Sequence, residues 1–145
     1  MNDDDKLEKL LAEDEGKRLK MYQDTKGIWT VGIGHNLEEK GISDAVCSLM
    51  FQEDIDDARK DAEKFSWYSR LNSARRAVIL NMIFNMGLTR FSGFKKTIEY
   101  IDQGLYLSAS KEMKDSKWYR EDVANSRSDR LAEMMRTGTW PENFS

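Results

Sequence analysis

Apolar residues recur along this chain in two different periods. Leu7, Leu10 and Leu11 are spaced three to four apart, which predicts a helix over residues 4–15. Gly16 stands where a helix C-terminal glycine belongs, so Glu15 is the last residue of that helix. Residues 18–22 and 28–33 alternate instead, as strands do, and Asp24-Thr25-Lys26-Gly27 between them reads as a hairpin turn in which Gly27 supplies a positive φ. Gly32 and Gly34 weaken the second strand and predict a bulge or a close approach to the backbone. Gly41 closes this small β unit.

Helical spacing returns after Ser43, a helix-capping residue. Val46, Leu49, Met50, Ile55 and Ala58 form one apolar face of a helix expected to run to about Phe65. The next helix starts at Ser73 and stops at Gly87. It is apolar nearly all round, with Ala77, Leu80, Ile83 and Phe84, or Val78, Ile79 and Met82, as its buried set, so it belongs at the centre of a helical half. Shorter helices are expected near 93–103, 108–114, 116–122 and 127–136, with Gly104 and Gly138 as punctuation. The fold class is therefore α+β within a single domain over residues 1–145. A small β-hairpin lobe (about 17–41) is joined by a connecting helix (about 43–65) to a mainly helical lobe (about 66–145, plus the helix 4–15).

Composition narrows the classes. With 39% hydrophobic residues in 145, the chain can bury one ordinary core. A single cysteine, Cys47, excludes an internal disulfide; lying in a helix, it reads as a small buried hydrophobe rather than a reactive thiol. No apolar run is long enough to cross a bilayer, and MNDDDKLEKLLAEDEG lacks the basic-then-apolar order of a signal peptide. The net charge of −3 hides an asymmetry. Residues 1–65 carry 10 Lys+Arg against 17 Asp+Glu, and residues 66–145 carry 13 against 9. That is either a mixed, solvated surface or a basic helical half facing an anionic polymer. Nucleic acid is a poor candidate for that polymer: the cations are scattered and no helix-turn-helix or zinc spacing occurs.

The chemistry concentrates in residues 15–37, EGKRLKMYQDTKGIWTVGIGHNL. Glu15 sits at the negative end of a helix dipole, where a carboxylate adds no stability. Asp24 opens a turn, a position an aspartate takes for its backbone hydrogen bonds alone. Together, a helix-end and a turn carboxylate form the pair that glycoside hydrolysis uses: one acid to protonate the leaving oxygen, one carboxylate to orient water or attack carbon. The spacing leaves their separation open. His35 is the only histidine, and with a single cysteine there is no metal-ligand spacing, so no metal is expected; nor is an organic cofactor, since two carboxylates and a water complete such a hydrolysis.

This stretch resembles the phage-type lysozymes, the glycoside hydrolases to which the lysozyme of the T-even phages belongs. The family pattern stands here as Glu15-Gly16, Leu19, Tyr22, Asp24, Gly27, Trp29-Thr30, Gly32 and Gly34-His35. RRAVILNMIFNMG (75–87) looks like the central helix and cleft wall, SKWY (116–119) like the helical-lobe motif, and RTGTW (136–140) like the C-terminal signature. The resemblance covers about 10–140. The segment between His35 and the long helix is about twenty residues shorter than in the T-even type, which implies a trimmed β lobe.

What the resemblance implies is a muramidase acting on the β-1,4 bond between N-acetylmuramic acid and N-acetylglucosamine of peptidoglycan. Glu15 matches the general acid, Asp24 the second carboxylate and Thr30 the hydroxyl that helps hold the attacking water, for an inverting hydrolysis. By the same matching, Asn36, Phe84, Thr97 and Glu112 fall where the family contacts sugar, with Asn85 beside Phe84 on the cleft wall; Glu112 replaces an amide. His35 is implied to pair with Asp54 as a structural element, and Arg127 to reach toward the catalytic glutamate. The implied setting is a monomer in the host bacterial cytoplasm, released by a holin-type membrane protein to act on glycan strands in the periplasm during host lysis. Two alternatives stay open: a lytic transglycosylase, which cleaves the same bond without water, and a non-catalytic wall-binding module on the same fold.

Overall fold

A computed structural model describes residues 1–121 and 125–144. The chain divides into two compact units, Met1–Met50 and Phe51–Ser145.

The first unit opens with α1 (Asp3–Glu15). Asn2 and Asp5 form a reciprocal capping box, and Asp3, Asp4 and Asp5 place negative charge at the positive end of the helix dipole. Gly16, at φ 74°, ends it and donates its N–H to the Ala12 carbonyl. The strands β1 (Arg18–Gln23), β2 (Trp29–Gly32) and β3 (His35–Asn36) then form an antiparallel sheet in the order β1-β2-β3. The expected hairpin is there, with Tyr22 opposite Thr30, and it carries an irregularity between Arg18 and Tyr22. The third strand was not legible in the alternation, because two residues carry no period. A short helix α2 (Leu37–Lys40), capped by Asn36 and closed by Gly41, was likewise unforeseen.

The helix α3 (Asp44–Ala62) begins where expected, with the Ser43 hydroxyl accepting the Val46 N–H at 3.2 Å. Its apolar face needs correcting. Val46, Leu49 and Met50 are exposed, and so is Cys47, which is therefore not the buried hydrophobe that its helical setting suggested. The first half of α3 makes no extensive contact with another element of its unit; burial starts only at Ala58 and Ala62.

The second unit holds the core. Its elements are a 3-10 turn at Tyr68–Arg70, then α4 (Ser73–Met86), α5 (Leu88–Ser92), α6 (Lys95–Asp102), α7 (Tyr106–Lys114), α8 (Lys117–Glu121) and α9 (Asn125–Thr137), with a second 3-10 turn at Glu142–Phe144. The helix expected near 93–103 resolves into α5 and α6, which Gly93 and Phe94 separate. The last residue of the helix expected over 116–122 lies outside the described residues.

Central α4 buries Val78, Ile79, Met82 and Ile83 and leaves Phe84 exposed. Around it pack Phe91, Ile101, Met113, Trp118 and Met135, each contributing about 1.5–3 kcal/mol from burial. A run of ring contacts links these layers: Phe65 stacks on Trp67 and meets Phe91 edge-on at 5.6 Å, and Phe94 meets Trp118 edge-on at 6.2 Å. Helices α7 and α9 approach closely through Ala109, Ser110 and Ala132, and the Ser110 hydroxyl donates to the Ala132 carbonyl at 2.8 Å.

Two of the sequence motifs meet here. Arg75, at the start of α4, donates from Nε to the Met135 carbonyl at 2.8 Å and from Nη2 to the Arg136 carbonyl at 3.1 Å, while its guanidinium stacks 3.7 Å above Tyr106. It thus satisfies the carbonyls that α9 leaves open at its C-terminus. Gly138 (φ 70°) lies so close that a Cβ there would stand 2.8 Å from the guanidinium. The Trp140 indole N–H donates to the Ser73 hydroxyl at 3.1 Å.

Candidate active site

Glu15, Asp24 and Thr30 all lie in Met1–Met50, each held by a different local device. Glu15 is the last residue of α1, and its side chain is exposed. Within residues 1–50 its carboxylate has no hydrogen-bond partner; it lies close to Gly34, where an added Cβ would stand 2.8 Å from Oε2 and 2.9 Å from Cδ. The close approach expected at the glycines of β2 is therefore found at Gly34, and the approaching group is Glu15.

Asp24 opens the β1-β2 turn. Its Oδ1 accepts the Lys26 N–H at 2.8 Å and the Ile28 N–H at 2.9 Å, and Gly27 at φ 80° completes the turn. The turn role and a chemical role are compatible, because both bonds fall on one oxygen and leave Oδ2 free of them. Thr30 is the buried residue of this unit, at 4% exposure, and its hydroxyl donates to the Ile28 carbonyl at 2.8 Å. With its proton so committed, the Thr30 oxygen offers only lone pairs to a third group. Asp24 and Thr30 are thus coupled through Ile28, whose N–H binds one and whose carbonyl binds the other.

His35 and Asn36 make up β3. The His35 Nε2 lies 2.6 Å from the Gly41 carbonyl, so it carries a proton and donates. Asn36 caps α2: its Oδ1 accepts the Glu39 N–H at 3.0 Å and its Nδ2 donates to the Glu39 carboxylate at 3.2 Å. The local structure thus gives Asn36 a capping task that accounts for its polar atoms without a sugar.

In the second unit, a recess of about 710 Å³ gathers Phe84, Asn85 and Arg127. Asn81, Phe84 and Asn85 share one face of α4; Arg127 and Arg130 face it from α9; Phe51 and Ile55 form its apolar side. Phe51 meets Phe84 edge-on at 5.9 Å. Sequence reading missed Phe51, Asn81 and Arg130. Their signal was spacing: three and four residues separate Asn81 from Phe84 and Asn85, and three separate Arg127 from Arg130.

Thr97 and Glu112 lie apart from these, in a second recess of about 440 Å³ with Arg90, Lys95, Lys96 and Lys117 around it. Thr97 is 3% exposed, so it shapes the wall more than it presents a hydroxyl. Trp118 lines the same recess, and its buried indole N–H has no hydrogen-bond partner among the described residues. Asp54 lies with Asp57, Asp61 and Phe84 in a smaller recess of about 220 Å³ beside α3. Among the described residues no helix is long and apolar enough to cross a membrane.

Comparison with known proteins identifies the family. The phage lysozyme family matches residues 12–133, a span that includes Glu15, Asp24 and Thr30 as well as Phe84, Asn85, Thr97, Glu112 and Arg127. A probable T4-type lysozyme of Dictyostelium discoideum is 31% identical over 163 aligned positions, covering 92% of this chain and 95% of the relative. The alignment is longer than the chain, so the relative carries residues with no counterpart here. The endolysin of Salmonella phage P22 is 32% identical over 57% of the chain and 62% of its own length. The pre-baseplate central spike protein of Enterobacteria phage T4 is 26% identical over 91% of the chain, which corresponds to only 28% of that longer protein. The chain is a member of the phage lysozyme family, the T4-type glycoside hydrolases.

Proposed function

We propose that this protein is a muramidase that hydrolyses the β-1,4 bond between N-acetylmuramic acid and N-acetylglucosamine in bacterial peptidoglycan, with inversion, and that its use is host lysis. Glu15 is the general acid and donates its proton to the glycosidic oxygen as the bond breaks. Asp24 and Thr30 hold the water, and the Asp24 carboxylate takes the proton that the water loses as it attacks. Both present acceptors to it, Oδ2 of Asp24 and the lone pairs of Thr30, so the water turns its hydrogens toward them and its own lone pair toward the anomeric carbon. Attack from the face opposite the leaving oxygen inverts that carbon, which calls for carboxyl groups roughly 6.5–9.5 Å apart.

The observation that carries this reading is the commitment of the Thr30 proton to the Ile28 carbonyl, together with the two backbone N–H groups on one Asp24 oxygen. Both groups thereby keep the acceptors that holding a water requires. In this reading residues 1–145 form one lysozyme-like domain. His35, Asp54 and Arg127 support the site, Phe84, Asn85 and Glu112 bind glycan, and Thr97 shapes the wall of the recess that holds Glu112. A membrane-hole-forming partner gives the protein access to the wall.

The test is product analysis. Purified protein and its Glu15→Gln variant are incubated with Gram-negative peptidoglycan, and the fragments are read by mass spectrometry. Reducing muramic-acid ends from the parent protein alone are the expected result. Anhydro ends would make it a lytic transglycosylase, and binding with no products from either protein would make it a wall-binding module.

A further inference from the structure

We infer that Gly34 is a positioning residue for Glu15: the bare α-carbon of Gly34 is the surface against which the carboxylate is seated. This rests on the reading of Glu15 as the acid. Glu15 stands at the end of α1 with a chain-turning glycine after it, and no hydrogen bond within residues 1–50 fixes its three side-chain torsions. Its side chain lies close over Gly34, in the link from β2 to β3. A Cβ on Gly34 would lie 2.8 Å from Oε2, 2.9 Å from Cδ and 3.0 Å from Cγ of Glu15. Three consecutive atoms of the side chain thus lie flat over the position where any other residue would carry its side chain. A methyl group needs about 3.5–4.0 Å from such atoms, so even alanine displaces the carboxylate by roughly 1 Å.

The sheet supplies its own control. Gly32 has φ 72° and Gly34 has φ 65°, so alanine at either position meets the same left-handed backbone penalty. A Cβ on Gly32 meets nothing within 4 Å. The two glycines therefore separate backbone strain from displacement of the acid. Loss common to both alanine variants is strain; loss confined to Gly34→Ala is misplacement of Glu15.

The experiment compares Gly34→Ala, Gly32→Ala and Glu15→Gln on soluble glycan strands bearing stem peptides, recording kcat, KM and the pH dependence of kcat below the melting temperature of each. The expected result is a fall of about 10²-fold in kcat for Gly34→Ala, since a misplacement of about 1 Å costs that much. KM should be little changed, and the limb of the pH profile that reports the acid should move. Gly32→Ala should lose similar thermal stability and keep the parent kinetics and profile. Identical kinetics for the two alanine variants, with Glu15→Gln inactive, would overturn the inference and leave Glu15 as the acid. Full turnover by Glu15→Gln would overturn the reading on which it rests. Should Gly34→Ala be too unstable to assay, thermal melting of Gly34→Ala/Glu15→Ala decides. Recovery to the level of Gly32→Ala supports the contact, and no recovery overturns it.

Discussion

Residues 1–50 and the helical unit after them are held by different forces. In the first unit Thr30 is the buried side chain, and the shape comes from short-range polar bonds: a capping box, an aspartate turn, a threonine bonded two residues back, a histidine on the Gly41 carbonyl. In the second, apolar side chains from α4 to α9 interlock, and Arg75 ties the last helix to the first. The proposed reacting groups all lie in the polar unit. There a pair of turn hydrogen bonds or a single missing Cβ sets the position of a carboxylate, so substitutions should alter chemistry before stability. In the helical unit the order should reverse.

The largest effect should come from the core. Phe91 is fully buried between Phe65 and Phe94, and Phe91→Ala should cost about 3–5 kcal/mol in urea unfolding while folded molecules keep their activity. A loss no larger than that of a surface change would break the contrast. Next is Asp24. Asn at this position keeps an Oδ1 acceptor for the Lys26 and Ile28 N–H groups but removes the charge, so Asp24→Asn should lower turnover by about 10²-fold or more without moving the melting temperature. Asp24→Ala should lose in addition about 1 kcal/mol of stability with the turn bonds. Parent activity in Asp24→Asn would reduce Asp24 to a turn residue.

A smaller effect concerns charge. The pI near 5.3 weakens long-range attraction to an anionic wall, so activity should change less with rising salt than that of a basic lysozyme. Turbidity clearance measured from low to physiological salt checks this, and a steep fall counts against it. The smallest is alkaline. Burial raises the Tyr68 hydroxyl above the ordinary tyrosine value, against the pull of Arg76 and Arg59. The folded state then holds that proton more tightly. Its stabilisation is complete below the unfolded tyrosine value and declines as pH rises through the interval up to the raised folded one. Urea midpoints at increasing pH should fall in that interval for the parent and less for Tyr68→Phe.

Much of the polar unit was legible in the sequence, because its bonds join near neighbours. Asp24 to Lys26 and Ile28, and Ser43 to Val46, are contacts over two to four residues, so consecutive letters encode them. The same locality put Glu15 at a helix end and Asp24 in a turn, and the apolar surround of residues 74–83 marked α4 as central. Tertiary structure alone decided the rest. An apolar face reads the same in sequence whether or not anything packs on it, so Val46, Leu49, Met50 and Cys47 looked buried and are not. A two-residue strand has no period, so β3 appeared only when it paired with β2. The recess that gathers Asn81 and Phe84 with Arg127 and Arg130, and the seat of Glu15 on Gly34, join residues far apart in the chain. Distances between such residues depend on how every intervening element folds, and no local pattern carries them.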